Sequence, residues 1–261
     1  MMNTDLHVTI AQELESARVS RNALAPLSER WPEMSVADAY AIQQLGLQQR
    51  LTGGAHLRGR KIGLTARPMQ KQLGVDQPDY GYLLDDMVFS DGATLAADTW
   101  IAPRVEPELA FIMGRRLEGP GVTAADVLRA TEFVLPALEL IDSRISNWKI
   151  KLVDTIADNA SSAAVILGGN PILPSAVNLR HVPTVFSKNG EIVETGVGAA
   201  VLGNPVNAVA WLANALGAFG VALEEGDIVL AGSFTASVPL AAGDRFSAEF
   251  GTLGQLSVAF R

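Results

Sequence analysis

Residues 104–111 of the chain read RVEPELAF, and within this run Glu106 and Glu108 stand among apolar residues. Successive side chains of a β-strand point to opposite faces, so these two carboxylates share one face of a predicted strand. Two like charges about 7 Å apart on an otherwise apolar strand repel each other, and a divalent cation between them relieves that repulsion. The alternative is a solvent-facing edge strand whose pairing Pro107 disrupts.

A second apolar run, FVLPALELI at residues 133–141, contains a single charge, Glu139. Burying a lone carboxylate is costly unless it is paired or bound to a metal. A salt bridge to Arg144 is one solution, and a metal site shared with Glu106 and Glu108 is the other. Three carboxylates on two strands give an oxygen-rich site that suits Mg²⁺ or Mn²⁺.

Further short apolar runs, separated by Gly, Pro, Asn and Asp, predict the other strands. The pair Asn189-Gly190 predicts a two-residue hairpin turn. Many strands, few helices and no regular strand–helix alternation predict an α+β fold with a mixed, mainly antiparallel β body. Together with the two glutamate-containing runs, the predicted strands cover residues 61–65, 102–113, 133–141, 163–167, 184–187, 227–231 and 246–250.

The N-terminal part of the chain differs in pattern, because apolar residues between residues 4 and 50 recur at helical spacing. A turn-rich break at residues 26–32 divides this region, and Thr52-Gly53-Gly54 predicts its end. Two later helices are predicted at residues 123–130 and from Asn204-Pro205 to about residue 216. We therefore predict a helical N-terminal region at 1–54 and a β-rich catalytic domain at 55–261.

Composition excludes several classes of function. The 261 residues include 20 Lys plus Arg and 28 Asp plus Glu, a net charge of −8, which argues against a nucleic-acid partner. The absence of cysteine removes disulfides, thiolate metal sites and a cysteine nucleophile. No stretch has the pattern of a membrane span or an export signal. We expect a soluble, intracellular protein whose chemistry relies on carboxylates, lysines and arginines.

Two further runs hold candidate reactive groups. Lys61 lies in GRKIGLT, residues 59–65, where a buried ammonium with a lowered pKa can act as acid or base. The alternative is a surface lysine at a strand end. Asp79 lies in QPDYG, residues 77–81, a pattern typical of a turn. The small polar residues at 157–162 either approach a ligand closely or cap backbone groups.

Several of these motifs, taken in order, resemble a known family. They are GRKIGLT with QLGVDQPDYG (residues 72–81), PRVEPELAF (103–111), and VLPALELIDSRI (134–145) with DTIADNAS (154–161). The set resembles the hydratase and decarboxylase family of aromatic meta-cleavage pathways, within the fumarylacetoacetate hydrolase-like superfamily. The resemblance covers essentially the whole chain and implies that superfamily's fold.

The resemblance also implies roles for individual residues. Glu106, Glu108 and Glu139 match the family's three metal carboxylates, which usually hold Mg²⁺ or Mn²⁺. Lys61 and Asp79 match the positions that manage protons.

Leu64, Ser161 and Thr235 fall in motifs that line the family's substrate pocket. The superfamily's C–C hydrolases activate water with a His-Glu pair in an N-terminal segment. This sequence has no histidine near the lysine or the glutamates, which disfavours that branch.

The activity that the resemblance implies is addition of water to 2-hydroxypenta-2,4-dienoate, giving 4-hydroxy-2-oxopentanoate. The alternatives are decarboxylation of 4-oxalocrotonate (2-oxo-3-hexenedioate) and hydration of 2-oxohept-3-ene-1,7-dioate. A dicarboxylate needs an additional cation in the pocket, and Arg67 is a candidate for it, with surface solvation as the alternative role of this arginine. A non-catalytic role in support of a partner enzyme is a further alternative, which retention of Lys61 and all three glutamates disfavours.

The expected partners follow from the same resemblance. They are a small 2-oxo or 2-hydroxy acid substrate, further copies of the chain in a homo-oligomer, and a pathway decarboxylase or aldolase. Neither a nucleic acid nor a membrane is expected, and the expected location is the cytoplasm.

Overall fold

The computed structural model describes residues 2–67, 70–71 and 74–261, so residues 72 and 73 of the QLGVDQPDYG motif lie outside the described residues. The helices with described bounds are α1 (Thr4–Ser20), α2 (Leu27–Arg30), α3 (Val36–Thr52), α4 (Ala124–Ala130), α5 (Leu152–Ala157) and α6 (Pro205–Gly217). The strands are β1 (Leu57–Gly63), β2 (Asp79–Leu84), β3 (Val88–Ser90), β4 (Ala93–Leu95), β5 (Arg104–Met113), β6 (Thr131–Ile141), β7 (Ser162–Leu167), β8 (Pro183–Lys188), β9 (Glu191–Val197), β10 (Ile228–Leu230), β11 (Val238–Pro239), β12 (Arg245–Glu249) and β13 (Gln255–Phe260).

Within the described residues, the strands form two sheets. The larger sheet has the order β2-β1-β10-β5-β6-β7-β3, with β11 also paired to β5, and the smaller has the order β4-β13-β12-β8-β9. The pairs β1–β10, β3–β7 and β4–β13 are parallel, and the other strand pairs are antiparallel. The predicted α+β class with a mainly antiparallel body is confirmed.

β5 and β6 lie in the middle of the larger sheet, and alternation divides their side chains between two environments. On one face Val105 and Leu140 join the main core, which also receives residues of α6 and of the smaller sheet. On the other face Glu106 lies opposite Glu139. The sheet therefore presents its carboxylates on the side away from the main core.

The N-terminal helices pack on the β-rich part through a cluster that includes Ile10 of α1, Ile42 of α3 and Ile156 of α5. The predicted break at residues 26–32 contains the short helix α2, a turn of helix too brief to show periodicity. α3 ends at Thr52 as the glycine pair predicts. The division of the chain into residues 1–54 and 55–261 stays a prediction.

Two predicted features near the candidate site need correction. β1 begins at Leu57 and ends at Gly63, so Lys61 lies inside the strand and residues 64 and 65 follow it. The first residues of β1 include charged side chains and show no apolar pattern that would predict a strand. Their pairing with β2 makes them part of the sheet. Asp79 does not lie in a turn but begins β2, whose six residues are all buried. The turn-forming residue types around Asp79 predict a turn, whereas the apolar residues that follow it continue as a strand in the structure.

The remaining predicted strands agree with the structure to within two residues at each end. The β8–β9 hairpin turns at Asn189-Gly190, and α4 and α6 begin after the predicted caps Thr123 and Asn204. The predicted elements do not include β13 and α5, which lie in segments of mixed polarity, or the short strands β3, β4 and β11. Among the described helices, none combines the length and apolar character needed to cross a bilayer.

Asp38, in the first turn of α3, connects three parts of the N-terminal region. Its carboxylate accepts hydrogen bonds from the backbone and hydroxyl of Ser35, from the Met2 backbone N–H, and from His7 Nε2 at 2.9 Å. Burial alone would raise the pKa of Asp38, but these hydrogen bonds hold it well below its ordinary value.

We predict that Asp38→Asn lowers the free energy of unfolding at pH 7 by about 2 kcal/mol, because hydrogen bonds to a charged group are lost. Because the pKa of Asp38 is lower in the folded state, its ionised carboxylate stabilises the folded protein at pH values above the ordinary pKa of aspartate. This stabilisation decreases as the pH falls below that ordinary value and through the lower folded-state pKa. The gap between wild type and variant should therefore shrink from pH 7 to pH 3 in urea titrations. Asp98→Asn, at an exposed aspartate, is the control, and a gap that does not change with pH would contradict the assignment.

Candidate active site

Glu106, Glu108 and Glu139 meet on one face of the larger sheet. Oxygens of the three carboxylates lie within 4.8 Å of one another. Because β5 is flanked by β10 and β6, the edge-strand interpretation of RVEPELAF is wrong. Pro107 is accommodated inside the sheet, where its carbonyl accepts a hydrogen bond from Phe234 N at 3.0 Å.

Burial makes this cluster electrostatically costly. Burial raises the pKa of Glu106 to about 7, with the Glu139 carboxylate as the next cause. Burial likewise raises the pKa of Glu108 well above its ordinary value, and Glu139 and Glu106 add to the rise. Burial also raises the pKa of Glu139, although the Lys61 ammonium lowers it in part. The negative charge of the three carboxylates, when ionised, is therefore larger than the positive charge of the Lys61 ammonium beside them.

The donor set fits a divalent cation. Both carboxylate oxygens of Glu139 are buried and accept no hydrogen bond within the described part of the chain. Glu108 accepts one, from Gly232 N at 2.9 Å. Three carboxylates with free lone pairs and no nitrogen or sulfur donor are the ligand type that Mg²⁺ and Mn²⁺ prefer.

Lys61 extends from β1 toward the carboxylates. Its side chain is only 4% exposed, so the surface-lysine interpretation is wrong. Nζ lies 3.4 Å from Glu139 Oε2 and donates a hydrogen bond to Ala160 O at 2.9 Å. Burial lowers the pKa of Lys61, but Glu139, Asp79 and the other glutamates together raise it above its ordinary value. The expected lowering of this pKa is therefore wrong, because the surrounding carboxylates favour the ammonium form.

Asp79 approaches Lys61 across Gly63. A Cβ at Gly63 would lie 2.3 Å from Asp79 Oδ1 and 3.4 Å from Lys61 Nζ, so both side chains occupy the space above this glycine. Asp79 is 1% exposed, and burial raises its pKa while Lys61 lowers it. Its Oδ2 accepts a hydrogen bond from Thr155 Oγ1 at 3.2 Å.

A left-handed turn at Asn159, Ala160 and Ser161 forms another wall of the site. All three residues have positive φ, between 48° and 55°, and such strain in residues other than glycine is concentrated at functional sites. The Ala160 carbonyl receives Lys61, and Ser161 Oγ is buried without a hydrogen-bond partner among the described residues.

A buried ion pair between Arg144 and Asp158, the residue just before this turn, stabilises it. Arg144 also donates to the carbonyls of Asp142 and Ser162. Because these contacts occupy its guanidinium, the predicted alternative of a salt bridge from Glu139 to Arg144 is wrong. Glu139 has Lys61 as its cation instead.

The structure thus brings together Lys61, Asp79, Ser161 and the three glutamates. Leu64 follows β1 with a φ of 56°, and its carbonyl accepts a hydrogen bond from Gln70. Thr235 lies one residue beyond Phe234, which is bonded to β5, and its hydroxyl donates to Ala236 O at 2.9 Å. These two residues lie on segments that leave β1 and β10 beside the cluster.

Sequence reasoning missed two residues that shape the site, Thr155 and Gly232. Thr155 lies in the DTIADNAS motif, but its partner is far away in the chain and no local pattern identifies it. Gly232 follows the apolar strand β10, and a glycine at such a point is a sign of close backbone approach.

Comparisons with known proteins show the family of the chain. The family model described as fumarylacetoacetate (FAA) hydrolase C-terminal matches residues 54–261. The chain belongs to the fumarylacetoacetate hydrolase family. Within that family its sequence is similar to hydratases that act on small 2-oxo acids, and its structure is similar to a decarboxylase.

Two curated relatives and one solved structure illustrate this similarity. The 2-oxo-hept-4-ene-1,7-dioate hydratase of Escherichia coli is 46% identical, over 100% of both chains. The 2-keto-4-pentenoate hydratase of Paraburkholderia xenovorans (strain LB400) is 44% identical, over 96% of this chain and 93% of the relative. The 4-oxalocrotonate decarboxylase from Pseudomonas putida G7, complexed with magnesium and adipate, superposes with a TM-score of 0.98 at 36% identity, covering 100% of this chain and 99% of that chain.

We predict that Gly232→Ala lowers the free energy of unfolding by about 3 kcal/mol, because the new Cβ is strained and clashes with a neighbour. Gly232 has a φ of +112°, and a Cβ there would lie 2.2 Å from Thr65 Oγ1. Gly243→Ala is the matched control, since Gly243 has a φ of +92° and no atom within 4 Å of its Cβ position. The control should cost about 1 kcal/mol in the same urea titration. Equal losses in the two variants would show that close approach at Gly232 is unimportant.

Proposed function

We propose that this chain is a metal-dependent hydratase that adds water to 2-hydroxypenta-2,4-dienoate and releases 4-hydroxy-2-oxopentanoate, in the meta-cleavage catabolism of aromatic compounds. The observation that carries the proposal is the cluster of three carboxylates, two of them buried, beside Lys61 and Asp79. It occurs in a chain that is 44% identical to a 2-keto-4-pentenoate hydratase over almost its full length.

In this proposal Glu106, Glu108 and Glu139 hold Mg²⁺ or Mn²⁺. A bound ion of this kind supplies Lewis-acid stabilisation of negative charge on the substrate's oxygen atoms. The Lys61 ammonium lowers the pKa of Glu139 in part, and the hydrogen bond from Gly232 N lowers that of Glu108 in part. Both contacts therefore favour the ionised form and orient the carboxylates. The surrounding sheet excludes water from the ligands and strengthens these electrostatic interactions.

Lys61 and Asp79 are the proposed proton-transfer groups. The enol O–H proton of the substrate is removed and a proton is delivered to C5, which gives the 2-oxo-3-enoate. Water oxygen then bonds to C4, its proton leaves to a base, and a proton is added at C3. Lys61, favoured as an ammonium, can donate a proton, and Asp79 Oδ1, free of hydrogen bonds from the described residues, can accept one.

Substrate recognition is proposed for Leu64, Ser161 and Thr235. Ser161 contributes a buried hydroxyl that is free to hydrogen-bond a carboxylate or carbonyl oxygen. Leu64 and Thr235 stand on the segments that leave the sheet next to the cluster.

A second candidate function uses a dicarboxylate, either by decarboxylation of 4-oxalocrotonate or by hydration of 2-oxohept-3-ene-1,7-dioate. It is favoured by the 46% identity to a dioate hydratase and by the close superposition on a decarboxylase complexed with adipate. The cation proposed for the second carboxylate, Arg67, is exposed. A second cation near the carboxylates is Arg104, which is half-buried and lies two residues before Glu106 on the same face of β5.

The setting of the enzyme is part of the proposal. We expect a cytoplasmic homo-oligomer that acts on a small 2-oxo or 2-hydroxy acid and associates with a pathway decarboxylase or aldolase. The β-rich part at residues 55–261 is the proposed catalytic domain.

We predict that Glu139→Gln weakens Mn²⁺ binding by about 100-fold or more, because an anionic ligand is replaced by a neutral amide of the same size. Isothermal titration calorimetry of chelator-treated protein measures the change. Glu132→Gln is the control, since Glu132 lies on the same strand but is exposed, and it should bind as wild type does. Unchanged Mn²⁺ binding in Glu139→Gln would remove this residue from the ligand set.

We predict metal-dependent loss of dienol absorbance when freshly generated 2-hydroxypenta-2,4-dienoate is added. EDTA-stripped protein should be inactive until Mg²⁺ or Mn²⁺ is restored, and the product should have gained one water by mass spectrometry. Lys61→Met should lower kcat by about 10²- to 10⁴-fold, the usual effect of losing a general acid or base. Lys149→Met, at an exposed lysine, should have little effect.

Two outcomes would contradict the first candidate. CO₂ release from 4-oxalocrotonate without turnover of the dienol would assign the decarboxylase activity. Hydration of 2-oxohept-3-ene-1,7-dioate alone would assign the dicarboxylate hydratase.

A further inference from the structure

We propose that Thr155 is a positioning residue for Asp79, holding one carboxylate oxygen so that the other faces Lys61 and the reacting substrate. The inference rests on the proposed function, in which Asp79 exchanges protons with the substrate.

The two oxygens of Asp79 have different surroundings. Oδ2 accepts the Thr155 hydroxyl at 3.2 Å, whereas Oδ1 is buried and accepts no hydrogen bond from the described residues. Oδ1 lies above Gly63, in the space that Lys61 Nζ also approaches. A carboxylate rotates about a soft terminal torsion, so a donor on one oxygen is what fixes the direction of the other. The hydrogen bond therefore selects Oδ1 as the oxygen that can exchange a proton.

Thr155 is itself held in place by contacts that join α5 to β2. The Gln43 side-chain amide donates to Tyr80 O and to Ile156 O, both at 2.8 Å. These carbonyls belong to the residues that follow Asp79 and Thr155 in the chain. A single buried side chain of α3 thus fixes the distance between the aspartate and the threonine.

A second bridge reinforces the same alignment. The Asn159 side chain accepts from Tyr82 N at 2.7 Å and donates to Tyr82 O at 3.0 Å. β2 is consequently bound to the segment from Thr155 to Asn159 at three positions along its length. These contacts fix the position of Asp79, as a proton-transfer group requires, because a small misplacement of a reacting group lowers the rate by up to about 100-fold.

The experiment compares Thr155→Val, which keeps the shape and removes the hydroxyl, with Thr155→Ser, which keeps the hydroxyl. We expect Thr155→Val to lower kcat about 10- to 100-fold with KM within about twofold, because proton transfer is impaired while binding is not. Thr155→Ser should restore kcat to within about threefold of wild type. Mn²⁺ affinity should not change in either variant, since the Thr155 hydroxyl donates its hydrogen bond to Asp79 and Asp79 is not one of the proposed metal ligands.

Thr184→Val is the matched control. Thr184 is buried like Thr155, and its hydroxyl has no hydrogen-bond partner among the described residues. It lies in β8 of the smaller sheet. Its replacement should leave kcat unchanged, which separates loss of a buried hydroxyl in general from loss of this one.

Crystal structures of wild type and Thr155→Val provide a readout that does not depend on turnover. We expect the Asp79 carboxylate to rotate or to adopt two orientations in the variant. An unchanged carboxylate, an unchanged kcat, or a Thr155→Ser variant as impaired as Thr155→Val would each overturn the proposal. If wild type fails to hydrate the dienol, the proposed function fails, and the crystallographic comparison alone then decides whether Thr155 orients Asp79.

Discussion

The structure depends on a cluster of three carboxylates, two of them buried, around one ammonium group. Glu106, Glu108 and Glu139 lie in the middle of a sheet, and Lys61 is the cation that contacts Glu139 directly. Apolar packing on the opposite face of β5 and β6 contributes the free energy that offsets this cost. The fold therefore tolerates uncompensated negative charge at one place, where a divalent cation can balance it.

The neighbouring backbone is adapted to the same charges. Three consecutive residues take left-handed conformations so that the Ala160 carbonyl can accept a hydrogen bond from Lys61. The buried pair of Arg144 and Asp158 supports that turn. Strain of this kind persists only when surrounding contacts determine the conformation, which is why a buried ion pair and the Asn159 bridge to β2 lie beside it.

The carboxylate cluster could be predicted from the sequence because its signals are local. Alternation places Glu106 and Glu108 on one face, and Glu139 is an isolated charge in an apolar run. The register that sets Glu106 opposite Glu139 could not be predicted, since it depends on packing along the whole β5–β6 pair. Local propensity predicts a turn at Asp79, because the burial that makes this residue part of β2 comes from pairing with the distant strand β1.

The helical part of the chain illustrates the other limit of sequence analysis. Gln43 belongs to α3, where its residue type predicts only a solvent-exposed helical position. Its two hydrogen bonds to backbone carbonyls 37 and 113 residues away give it a buried bridging role. Contacts between residues so far apart in the chain follow from the tertiary fold and leave no local pattern.

The missing side chain at Gly63 has an entropic consequence. A lysine side chain ordinarily loses up to about 2 kcal/mol of rotamer freedom when it is ordered. Here the gap above the glycine admits Asp79 and the Lys61 ammonium together, and folding confines both before any ligand arrives. The conformational cost of bringing the ammonium and the carboxylate together is thus met when the chain folds, before any ligand binds.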